Sequence, residues 1–66
     1  MFSLYFFEIN GAIFCDAISA AVSATKIARR MGYKSTPELI SLGDGNYEVI
    51  FYNEEGYSIR AYIEFN

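Results

Sequence analysis

The side chains of this chain that could do chemistry are few: one thiol, eight carboxylates, five cations, six phenols and no histidine. Without an imidazole, Cys15 has no neighbour suited to draw off its proton. It reads as a small buried hydrophobe rather than a nucleophile. The missing histidine also removes the usual general base and the commonest metal ligand. The carboxylates are scattered, and no two stand at a spacing that sets a pair in one cleft. Glu54-Glu55 reads as the solvated tip of a turn. The stretch "GDGN", residues 43–46, offers one Asp and one Asn, too few oxygen ligands for a calcium loop. No glycine-rich phosphate loop of the right spacing occurs. The expectation is a protein that is not an enzyme and uses no cofactor or metal.

What remains is recognition chemistry, and it concentrates near the C-terminus. In "EEGYSIRAYIEFN", residues 54–66, a period of two places Tyr57, Ile59, Ala61, Ile63 and Phe65 on one face. Ser58, Arg60, Tyr62 and Glu64 fall on the other. The preceding "YEVIFYN" continues both rows. Tyr47, Val49 and Phe51 join the apolar face, while Glu48, Ile50 and Tyr52 join the second. An aromatic and aliphatic centre with a charged rim is the pattern of a protein interface. The candidate partner-binding residues are therefore Ile50, Tyr52, Arg60 and Tyr62 as anchors, with Glu48 and Glu64 steering. A competing reading is that cross-strand aromatic pairs stabilise an open sheet face without any partner.

These residues need a sheet to hold them. "SLYFFEI", residues 3–9, is aromatic-rich and reads as a strand. Asn10-Gly11 then signals a two-residue hairpin turn, because both central residues of that turn take positive φ. The register that follows pairs Phe7 with Phe14 and Phe6 with Cys15. It leaves two candidate inner faces: Leu4, Phe6, Glu8, Ile13 and Cys15, or Tyr5, Phe7, Ile9, Ala12 and Phe14. The first is taken as the core face. Asp16 is placed to cap a helix over residues 17–31, "AISAAVSATKIARRM". Its stripe of Ala17, Ala20, Ala21, Ala24, Ile27, Ala28 and Met31 faces inward. Gly32 stops it, with Arg29 and Arg30 beside its negative end. Ser35 to Glu38 matches a capping box and allows one short helical turn. Strands are predicted over 39–42, 47–53 and 57–65. The order is ββαβββ: one α+β domain over residues 1–66, with one helix packed on one face of an antiparallel sheet. Such a sheet carries more apolar side chains than one helix can cover.

Composition narrows the classes. A chain of 66 residues builds one core. Its twelve Phe and Tyr residues supply the burial that so short a chain needs. A lone cysteine excludes an internal disulfide and suits a reducing, cytoplasmic setting. The first residues lack a basic leader, with Glu8 and Asp16 interrupting the apolar run. No uncharged stretch is long enough to span a membrane. The net charge of −3 disfavours direct binding to nucleic acid, which needs Lys and Arg, and suits a basic protein partner. "GYSIRAY", residues 56–62, partly resembles the aromatic-bearing strand of RNA-recognition sheets. Its leading residue is Glu55, however, and the second helix of that fold is missing. Lys26, Arg29, Arg30 and Lys34 cluster around the helix C-terminus, where the helix dipole accounts for them.

A short hairpin, the Ala-rich helix "AISAAVSATKIARRMG" and three short strands together resemble the small phage-encoded inhibitors, including anti-CRISPR proteins. The resemblance covers nearly the whole chain as topology and carries no specific motif. It implies a non-enzymatic protein that occludes a nucleic-acid-binding surface of a host defence complex, acting in the host cytoplasm. The alternatives are a homo-oligomer, such as a homodimer, that buries the same face or pairs edge strands, and a single-stranded nucleic-acid binder using Tyr52, Arg60 and Tyr62.

Overall fold

In the computed structural model, which describes residues 1–66, the chain forms strands β1 (Phe2–Phe6) and β2 (Ile9–Phe14), helix α1 (Ala17–Arg30), then strands β3 (Glu38–Gly43), β4 (Asn46–Tyr52) and β5 (Ser58–Phe65). All pairs are antiparallel, and the sheet order is β2-β1-β5-β4-β3. α1 packs on one face. The expected α+β fold is the observed one.

The helix forms where its signals stand. Asp16 accepts the backbone N–H of Ser19 at 2.7 Å. That bond holds its carboxyl below the ordinary value of 3.8. The cap's contribution to stability is present above that value and fades as pH falls through the lower folded one. At the other end Gly32 takes φ +94°. The N–H of Tyr33 reaches the carbonyl of Ala28 at 2.9 Å, and that of Gly32 reaches Arg29 at 3.1 Å. This double closure satisfies the last carbonyls of the helix. Ala20, Ala24 and Ala28 are completely buried, so α1 lies close against the strands. The bulk comes from the sheet: Leu4, Phe6, Val49, Phe51 and Ile63 fill the core, with the rings of Phe6 and Phe51 5.6 Å apart.

The first hairpin departs from the expected register. The chain turns at Phe7-Glu8, three residues before the expected Asn-Gly position, and Phe6 faces Ile9. Gly11 uses its positive φ of +87° inside β2 instead, where the pairing slips by one residue. The slip re-phases β2. Phe2, Leu4, Phe6, Ile9 and Phe14 then all pack on the helix side. The expected register would have placed Glu8 on that side and left Ile9 and Phe14 outside. Bringing five large apolar side chains to one face is the stronger drive, and it leaves Ile13 and Cys15 exposed. The inner face is thus the expected one along β1 and the opposite one along β2.

Smaller differences follow the same logic. Residues 35–38 form no helical turn. The Ser35 hydroxyl donates to the Tyr52 carbonyl at 2.9 Å, and Glu38 starts β3. The two-residue positive-φ turn is Asp44-Gly45, at +55° and +81°. Tyr57 lies outside β5 and is exposed, in a loop gathered by Asn53, whose side chain accepts from the N–H groups of Glu55 and Tyr57. Phe65 is half exposed, with its ring against Phe2. No helix is long and apolar enough to cross a membrane.

Candidate functional site

The outer face of the sheet, away from α1, carries the residues expected to bind a partner. Strand pairing sets them in rows. Tyr5, Tyr62, Glu48 and Ile40 lie across β1, β5, β4 and β3. In the next row Ile50 stands between Arg60 and Glu38. Glu64 sits opposite Ser3, and Tyr52 opposite Ser58. All six expected site residues therefore share one face, and the structure adds Tyr5, Glu38 and Ile40 to it. Glu38 was legible as a β3 residue only once that strand's start and register were known.

The face is closely self-paired. Arg60 Nη1 lies 3.2 Å from Glu48 Oε1. The Tyr52 hydroxyl donates to Glu38 Oε1 at 3.2 Å. Tyr5 and Tyr62 hold their rings 6.0 Å apart at 32°. Desolvation and the Glu38 carboxylate push the Tyr52 phenol above its ordinary value, only partly offset by Arg60. It therefore stays a neutral donor across the physiological range.

The expectation that Ile50 is an exposed anchor is corrected. Ile50 is only 4% exposed although no helix covers it. Its cross-strand neighbours are Glu38 and Arg60, and its neighbours along β4 are Glu48 and Tyr52. The two hydrogen-bonded pairs link these four side chains around it. The other residues expected as anchors, Tyr52, Arg60 and Tyr62, keep accessible surface, with Glu48 and Glu64 half-buried beside them.

The cations are unevenly placed in the fold. Glu38, Glu48 and Glu64 share the outer face with the single guanidinium of Arg60. The other four cations, Lys26, Arg29, Arg30 and Lys34, lie on α1 and just beyond it. Three carboxylates around the tyrosines oppose a phosphate backbone, which weighs against the single-stranded nucleic-acid reading.

Exposed apolar side chains also lie on the helix side. There, Ile18 and Val22 of α1 and Leu39 of β3 flank a groove of about 490 Å³ floored by Val49 and Tyr47. Sequence reasoning missed it. Ile18 and Val22 are one turn apart and off the alanine stripe, and that was the available signal. No three His, Cys, Asp or Glu side chains converge as a metal site would require.

Set against known proteins, the chain matches no family model, and neither a curated protein nor a solved structure matches it significantly.

Proposed function

We propose that this chain is a non-catalytic protein-binding module that works by occluding a basic surface of its partner. The observation that supports this reading best is the uneven placement of the cations. Tyr52 and Tyr62 stand among Glu38, Glu48 and Glu64 on a face with one cation. Aromatic area surrounded by carboxylates complements a groove lined with Lys and Arg. The narrower form is an inhibitor of the phage type, seated on the nucleic-acid-binding surface of a host defence complex. It draws support from the same acidity and from the layout of the chain.

The test is displacement of labelled DNA or guide RNA from purified CRISPR effector complexes, at several salt concentrations. The wild-type chain should displace it, less effectively as salt rises. The pair Glu48→Lys and Glu64→Lys should lose at least tenfold in potency, and Tyr62→Ala should weaken it. Equal potency of the charge-reversed and wild-type chains would overturn the outer-face assignment. Failure to displace from any complex would overturn the narrower form.

One observation favours self-association as a second reading. The outer edge of β3 has no strand beside it, and Leu39 and Leu42 on that strand are exposed. Such an edge can template pairing with another chain. Light scattering at two concentrations distinguishes a dimer from a monomer.

A further inference from the structure

We infer that the groove between α1 and β3 is a docking site for one acidic amphipathic helix of a protein partner. The inference is independent of the outer-face reading, because the groove lies on the opposite side of the sheet. It rests on dimensions and on charge. α1 contacts β1 and β5 equally, reaches β2 and β4 less and equally, and does not reach β3. Its axis therefore runs above the seam between β1 and β5. The seam between β4 and β3 is two strand spacings away, or about 10 Å at ~4.8 Å each. Helices pack with axes ~8–10 Å apart. A second helix laid over that seam would thus sit at packing distance from α1 and directly on Leu39 and Val49. On the far side of α1 the sheet ends at β2, so there is no equivalent berth.

The walls suit an apolar helix face. Ile18 is 75% exposed and Leu39 57%, and both flank the same concavity. The Thr25 hydroxyl is already spent on the Ala21 carbonyl at 2.7 Å, so the wall presents no free donor there. Charge sets the polarity of the occupant. At 100° per residue, Arg29 continues the Ile18–Val22–Thr25 flank one turn further, and Lys26 lies a turn beyond Val22. Both are exposed toward the C-terminal end of α1, whereas Lys34 beyond it lines a separate hollow with Glu54 and Glu55. A helix running antiparallel to α1 brings its N-terminal turn to these cations. Carboxylates belong in that turn, where they also complement the occupant's own dipole. β4 spans roughly 23 Å, which corresponds to an occupant of about four helical turns.

The probe is a synthetic peptide of about 14 residues with leucines at i, i+3 and i+7 spacing and glutamates in its first turn. Its twin carries lysines in place of the glutamates. Each is titrated into the labelled full chain, followed by amide chemical shifts. The acidic peptide should move the amides of Val22, Leu39 and Val49 and bind at least tenfold more tightly than its twin. The double variant Lys26→Glu and Arg29→Glu, both surface positions, should reverse that preference. Ile18→Glu, at an exposed position, should abolish binding of either peptide with the helix content unchanged. Absence of shifts, equal affinities, or shifts confined to Tyr52, Arg60 and Tyr62 would overturn the inference. So would a concentration-dependent dimer that moves the groove amides without peptide, since the occupant would then be a second copy.

Discussion

Val49 and Ile50 are consecutive in β4 and point to opposite faces of the sheet, yet both are almost fully buried. Val49 lies on the helix side, within the core that α1 closes. Ile50 has no layer above it, only the Tyr52–Glu38 and Arg60–Glu48 pairs around it. Meanwhile Leu39, directly across from Val49 on the helix side, is more than half exposed. The covered face thus leaves an aliphatic residue open, while the open face conceals one. Linked polar side chains can seal a small area of sheet, whereas a single helix cannot span five strands.

The comparison can be broken most forcefully on the helix side. Phe51→Ala should cost about 3–5 kcal/mol in urea unfolding. That is a large part of the stability of a chain this size, on the order of 3–10 kcal/mol. Ile50→Ala should cost about 2 kcal/mol, the low end for a buried isoleucine, because the flexible side chains around it can settle into the space. A loss under ~0.5 kcal/mol would mean that the polar pairs do not exclude water. A double-mutant cycle on Glu48→Ala and Arg60→Ala should give a coupling of about 0.2–1 kcal/mol that shrinks in high salt, since Arg60 is more than half exposed. Leu39→Ser should change stability by less than about 0.5 kcal/mol. A helix-side leucine would then matter less to folding than an outer-face isoleucine.

Much of this architecture was readable from residue types. Asp16, the alanine stripe and Gly32 each act locally, and the helix formed within one residue of its expected end. The alternation in β4 and β5 placed Glu48, Tyr52, Arg60, Tyr62 and Glu64 together, because a period of two is a short-range property. The first hairpin was not readable in this way. Asn10-Gly11 suits a turn and a bulge equally well, since both need a positive φ. The choice between them is made by Phe2, Ile9 and Phe14 finding the same core, a long-range effect. The concealment of Ile50 was hidden for a similar reason. It depends on Glu38, whose register against β4 follows from the Asp44-Gly45 turn and the slip between Ser41 and Gly43.

The adjacency of β1 and β5 in the middle of the sheet bears on how the chain reaches this state. Phe2 pairs with Phe65 and Leu4 with Ile63, so the central seam joins residues about sixty positions apart. The β3-β4-β5 meander and the β1-β2 hairpin are each local and can form early. The seam that unites them closes nearly the largest loop available, and such closure slows folding. On the ribosome, β1 waits for β5 with the edge that β5 will cover still bare. Refolding of the free chain should accordingly be slower than its length alone suggests. Substitutions along the β1–β5 seam should therefore act mainly on the rate of folding, because closing that seam is the slow step.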